Sequence, residues 1–257
     1  MKRAIIYSLI FVLFFSISLL SSIPVSFALN YLPPVRGLTI EGTSGTVWQG
    51  SASTIRWQGQ SFGEVHWDFQ TSKLFTGNAQ YALRFGRGSD LNLRGKGLVG
   101  YGLGQGAYVE NLVASLPAEK VASRLPMPLP LQVEGQVEGQ VEVNVRHAVY
   151  QAPWCASGTG TLVWSASKVG TPIGALDLGP VISDFTCENS QLSVKGEQQS
   201  AQVSAQFSAQ VTPNRQYTTS AWFKPGAEFP AAMKSQLSWL GNPNGQGQYE
   251  FDYQGRF

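Results

Sequence analysis

Apolar and polar residues alternate over much of this chain, most regularly from Leu129 to Val145, LPLQVEGQVEGQVEVNV. Odd positions there hold Leu, Val or Gly, and even positions after Pro130 are polar. A period of two sends successive side chains to opposite faces, so this stretch predicts an antiparallel strand with one apolar and one wet face. Gly135 and Gly139 are expected to mark bulges or bends in so long a run. Ala201 to Val211 repeats the pattern, with Ala, Val and Phe alternating with Gln and Ser. Val65, Trp67 and Phe69 alternate in the same way, as do Tyr81, Leu83 and Phe85, and the chain finishes on Tyr249, Phe251, Tyr253 and Phe257.

Helical patterns are few and short. Pro117 to Leu125 opens on a proline, carries Glu119 early and Arg124 late, and places Val121 and Leu125 on one face before Pro126. Pro230 to Leu240 also opens on proline, aligns Met233, Leu237 and Leu240, and stops at Gly241. The stretch Pro126 to Pro130 predicts a stiff connector dividing the chain into β-rich halves, 30–125 and 126–257. Gly45-Thr-Val-Trp48 returns loosely as Gly160-Thr-Leu-Val-Trp164, a weak echo between the halves.

The N-terminus breaks the strand pattern. Lys2 and Arg3 precede the apolar run Ala4 to Leu20, and no charged residue follows until Arg36. As a helix this run extends about 25 Å, and Ser21, Ser22 and Ile23 bring it to the roughly 30 Å of a bilayer core. Basic residues stay on the cytoplasmic side, so the remainder is expected to be exported. The reading adopted is an uncleaved anchor over 1–29, followed by a periplasmic β-rich part over 30–257. Cleavage after Ala28, within Ser26-Phe-Ala28, is the alternative, although the apolar run exceeds the usual signal core. The predicted fold is thus mainly β: an N-terminal transmembrane helix, then a largely antiparallel sheet, curved or sandwich-like, with a few short helices.

Composition narrows the function. The 257 residues are 43% hydrophobic and 13% charged, with 28 glycines and a net charge of +2. So little charge, scattered singly, offers no basic stripe for nucleic acid. Cys155 and Cys187 are the only cysteines and lie outside any metal-ligand spacing. An oxidising compartment favours joining them, which stabilises by about 3–4 kcal/mol on the chain-entropy model; two buried thiols are the alternative.

Candidate chemistry is sparse. Gly95-Lys-Gly97-Leu-Val-Gly100 has dinucleotide-loop spacing, but the following Tyr101-Gly-Leu-Gly-Gln-Gly106 cannot open the required helix, so it reads as a loop or bulged strand. Glu64, His66 and Asp68 share a strand face and could hold a metal, but the wet face of an alternating strand normally carries polar residues, and no second cluster supplies further ligands. No nucleophile elbow, H-E-x-x-H or P-loop is present. No catalytic, cofactor-binding or metal-binding residue is predicted, and an enzyme is not expected. The terminal aromatics resemble the last strand of an outer-membrane barrel; the N-terminal anchor and the lack of a regular hairpin rhythm weigh against one.

Several segments together carry a resemblance: the anchor, Gly45-Thr-Val-Trp-Gln-Gly50, Gly63-Glu-Val-His-Trp67, Leu125-Pro-Met-Pro-Leu-Pro-Leu131, the two cysteines, and Leu240-Gly-Asn-Pro through Tyr249-Glu-Phe-Asp-Tyr-Gln-Gly-Arg256. In order and spacing the chain resembles the type II secretion system protein N family, inner-membrane proteins of the general secretory pathway. The resemblance implies an accessory, non-catalytic subunit that supports export of folded proteins across the outer membrane, with other envelope subunits of that machine as partners. It transfers no catalytic residue. In style the chain also resembles envelope proteins of the AsmA type, which implies a β-trough for lipid lined by the stripes Leu131–Val145 and Ala201–Val211; those stripes facing an internal core is the simpler expectation.

Overall fold

The computed structural model of the protein describes residues 2–31, 33, 35–123 and 136–256. Two helices come first, α1 (Lys2–Ser21) and α2 (Val25–Tyr31). The strands β1 (Leu38–Gly45), β2 (Gln49–Trp57) and β3 (Gln60–Phe69) lead to the one-turn helix α3 (Thr71–Leu74). Next come β4 (Asn78–Arg87), β5 (Arg94–Gly102), β6 (Gly106–Pro117) and the short α4 (Ala118–Ala122). The second part holds β7 (Gln136–Val149), β8 (Ser157–Thr171), β9 (Gly174–Glu188) and β10 (Gln191–Gln199). It ends with β11 (Val203–Val211), β12 (Gln216–Pro225), α5 (Ala231–Lys234), a 3₁₀ turn over Ser235–Leu240 and β13 (Tyr249–Arg256).

All thirteen strands form one antiparallel sheet in sequence order, each bonded only to its neighbours in the chain. The sheet is open, with β1 and β13 as its edges. Among the described residues there is no second sheet, so a sandwich is ruled out as the form of the β module. Every strand pairs with its successor, but the hairpins keep no regular rhythm: Asn189 and Ser190, both at positive φ, make a tight turn between β9 and β10, whereas the long segment 226–248 joins β12 to β13. β6 pairs along its length with β7, carrying the sheet across the connector. The connector itself, with Leu125, Gly135 and the first residues of the Leu129–Val145 run, lies outside the described residues.

The described part of that run is β7, and Gly139 takes φ +104° where the register slips between Glu138 and Gln140. The proline-led helices also form, though shorter: Pro117 precedes α4, and Pro230 precedes α5, whose pattern finishes as the 3₁₀ turn. The proposed echo does not mark equivalent positions. Gly45 to Trp48 makes the β1–β2 turn, whereas Gly160 to Trp164 lies inside β8. Gly95, Gly97 and Gly100 lie in β5.

Among the described residues no helix is long and apolar enough to cross a membrane. The described side chains of α1, from Ile5 to Ser21, are all exposed. The end of α1 and the start of α2 are tied to the β1–β2 turn. Trp48 Nε1 donates to the Leu20 carbonyl at 2.7 Å, Val47 N donates to the Ile23 carbonyl at 3.0 Å, and Pro24 bridges Thr46. Trp67 Nε1 donates to the Thr46 carbonyl at 3.1 Å, fixing the turn from the sheet side.

With one layer, little is buried. The accessible surface is 17175 Å², against about 11,000 Å² for a compact monomer of this mass. Fully buried apolar side chains are scattered and mostly small, such as Ala52, Val149 and Val203. Large side chains instead lie over glycines directly opposite them on the next strand. Phe85 covers Gly95, Phe185 covers Gly160, Phe207 covers Gly196 and Trp67 covers Gly50; a Cβ at any of these glycines would overlap the ring. Rings laid over strand glycines shield backbone that no second layer protects. The disulfide Cys155–Cys187, Cα atoms 6.3 Å apart, pins the segment between β7 and β8 to β9.

Two outcomes follow for stability. Gly160→Ala and Gly196→Ala should each lower the unfolding free energy by about 1–3 kcal/mol through overpacking, whereas Gly104→Ala, with nothing within 4 Å of its Cβ position, should stay within about 0.5 kcal/mol; denaturant unfolding followed by tryptophan fluorescence compares them. Replacing both Cys155 and Cys187 by alanine should cost about 3–4 kcal/mol for a loop of this length, read as an earlier midpoint in the same titration.

Candidate functional site

Residues opposite each other in an antiparallel ladder point to the same side of the sheet. Phe69, Tyr81, Val99, Val109 and Ala148 are opposite one another from β3 to β7. The same row continues as Gly158, Cys187, Leu192, Val211 and Tyr217 from β8 to β12. A neighbouring row runs from Val65 through Phe85, Gly95, Ala114, Val143 and Leu162. Beyond Leu162 it meets Ser183 and Gly196, then Phe207, Ala221 and Phe251. Nearly every strand therefore gives its apolar alternation to one common face. Its side chains are mostly half-buried, neither packed in a core nor scattered singly. The internal core expected behind the two stripes is not formed: Val141, Val143 and Val145 of β7 and Ala205 to Val211 of β11 remain partly open.

At one end of this face lies a cavity of about 530 Å³, floored by Ala79, Tyr81, Val99, Val109 and Ala148 and walled by Tyr150, Trp154 and Cys155. The disulfide holds that wall in place, because Cys187 belongs to the floor row while Cys155 belongs to the segment after Tyr150. Burial pushes the Tyr81 phenol above its ordinary range, in keeping with an apolar lining.

The opposite face is polar. His66 Nε2 and Glu64 Oε1 are 2.8 Å apart, and Arg87 Nε lies 3.8 Å from Glu64 Oε2, so the acid on β3 has an imidazole and a guanidinium as partners. Among the described residues no group of three or more His, Cys, Asp or Glu is gathered as a metal site. The second histidine, His147, lies 3.8 Å from Glu110, which also accepts from Gln80 Nε2 at 3.2 Å. Burial and then the Glu110 carboxylate push the Tyr108 phenol upward. The Glu64 contacts read as cross-strand pairing on a wet surface, whereas Gln80 and Tyr108 are buried, so the second cluster pairs on a covered part of the polar face.

Two open edges complete the geometry. β1 is mostly exposed, and β13 exposes Phe251 and Tyr253 while Phe223 of β12 stacks on Tyr249 and Phe251. Exposed edges are templates for strand addition. The apolar stripes are legible in the sequence one strand at a time, but the registers that align them on one face are not. Trp48 stands out in the sequence only within the loose echo and the segment Gly45 to Gly50, and its role in docking α1 has no signal in spacing.

Comparison with known proteins gives this arrangement a family. The profile described as type II secretion system (T2SS), protein N, matches residues 36–252. Type II secretion system protein N of Vibrio cholerae serotype O1 is 46% identical over 256 residues, covering all of both chains. That of Aeromonas hydrophila is 33% identical over 257 residues, again covering both, and that of Pectobacterium carotovorum subsp. carotovorum is 26% identical over all of this chain and 98% of its own. No solved structure matches. These full-length matches give the family directly: the chain belongs to the type II secretion system protein N family, a component of the secretion apparatus in the cell envelope and not an enzyme.

Proposed function

We propose that this secretion-system component is a single-pass inner-membrane subunit that holds its sheet in the periplasm and docks other subunits of the machine through its strand edges. The observation that carries this is α1, apolar and exposed on every side and tied at its end to the sheet. The described side chains of α1 fall short of a span by themselves. Ala4 before them and Ser22 and Ile23 after them bring the run in sequence to the roughly 20 residues a bilayer needs. Lys2 and Arg3 favour a cytoplasmic N-terminus. In this reading 1–29 is the anchor and 30–257 the periplasmic part. Ala28 lies inside α2, which supports an anchor that stays attached over one cut after that residue.

Docking by strand addition suits β1 and β13, whose outward N–H and C=O groups have no neighbouring strand. The partners are other envelope subunits of the type II system. A photo-cross-linker at Thr39 on β1 or Tyr253 on β13, introduced into cells that secrete through this system, should yield adducts with those subunits. Adducts at neither edge overturn docking by strand addition. N-terminal sequencing of the membrane fraction should return the intact start of the chain, and a start at Leu29 overturns the anchor.

The continuous apolar face and its 530 Å³ cavity favour one further reading, a trough that holds lipid acyl chains. Native mass spectrometry of the detergent-extracted protein should then retain lipid adducts, and a mass equal to the bare chain at gentle activation rules the trough out.

A further inference from the structure

The strand ends fall into two sets, and only one of them is joined to α1. The β1–β2 turn, which Trp48 and Val47 bond to the end of α1, lies at the same end of the sheet as the β3–β4 and β5–β6 connections. The Phe69 N–H donates to the Trp48 carbonyl at 2.7 Å, and the Leu103 N–H donates to the Gly77 carbonyl at 3.2 Å, which links the three turns side by side. These connections carry the most exposed apolar tips of the sheet at this end. Phe75 is 94% exposed, Leu103 is 88% exposed, and Leu74, next to Phe75 in the chain, is half-exposed.

We propose that this end of the sheet rests in the lipid interface of the bilayer that α1 enters, with Phe75 and Leu103 inserted among the headgroups and upper acyl chains. The proposal rests on the reading of α1 as a membrane tether. Three observations lead to lipid as the occupant. The first is continuity: the tips stand beside the turn that is bonded to the end of α1, so a bilayer that α1 enters lies next to them. The second is charge. Gln70 to Gly77, Leu103 to Gln105 and Tyr150 to Ala156 contain no acidic residue, and their single charge is Lys73, suited to anionic headgroups. The third is composition. Tyr101 and Tyr150, each 61% exposed, stand at the same end, with the apolar body and polar tip that favour the membrane–water boundary. Farther from α1 the tips at this end turn polar, as Asn189-Ser190 and Thr212 to Arg215, so the contact belongs to the strands nearest the tether.

The test uses the full chain in vesicles of phosphatidylethanolamine and phosphatidylglycerol containing a phospholipid spin-labelled near the headgroup. Single cysteines replace Phe75, Leu103, Val12 or Trp239 and carry an environment-sensitive fluorophore; the native pair is oxidised and does not react. Trp239, exposed at the opposite end of the sheet, is the aqueous reference, and Val12 in α1 monitors the tether. Labels at 75 and 103 should be blue-shifted and quenched several-fold more than the label at 239. Labels at 75 and 103 that behave like the one at 239, while 12 is shielded within the bilayer, overturn this proposal and leave the tether intact. A blue shift without quenching means that protein covers the tips and also overturns it. A label at 12 that remains aqueous removes the tether, and the proposal with it.

Discussion

A sheet one layer thick must shield its own backbone and apolar side chains, and this requirement governs most of the structure. In a sandwich the second layer removes one face of each sheet from water; here no such layer exists among the described residues. The chain answers with size complementarity within the face. A ring on one strand reaches over a glycine on the next, as Phe185 does over Gly160 and Phe207 over Gly196. Dispersion contacts that a core would supply from above are thereby made sideways. Glycines such as Gly50, Gly95, Gly160 and Gly196 thus serve packing, distinct from the use of others in turns.

The same constraint explains what could be read in the sequence and what could not. Alternation in Val65–Phe69, Tyr81–Phe85 and Ala201–Val211 identified strands because period two is a property of one strand and its two environments. What covers the apolar side is not encoded in that period: sandwich, barrel and single layer share it. Register decides the matter, and register is set by turns and bulges spread over the whole chain, such as the slip at Gly139. Gly139 was legible because a glycine inside a strand run has few other uses. Helix α2 was not, because Val25 to Tyr31 continues an apolar run and its start at Pro24 looks like an end. The link from Trp48 to Leu20 joins residues 28 apart through one indole N–H, and no local pattern announces such a contact.

Membership in the protein N family gives the open face a setting. Crowded assemblies of the cell envelope offer strands and lipid in abundance, and a sheet with two unpaired edges and one apolar face can meet both. The polar face, with Glu64 shared between His66 and Arg87, stays wet.

Strand order and chain order are the same from β1 to β13, and this bears on how the protein is made. A chain delivered from its N-terminus can add each strand to the one that arrived just before, with no segment waiting for a distant partner. Growth resembles the lengthening of a repeat array, in which any completed stretch is already a stable end for the next. The disulfide fits that order as well, since its two sulfurs flank the β8–β9 hairpin. Its oxidation can lock the assembled strands before the last four have emerged.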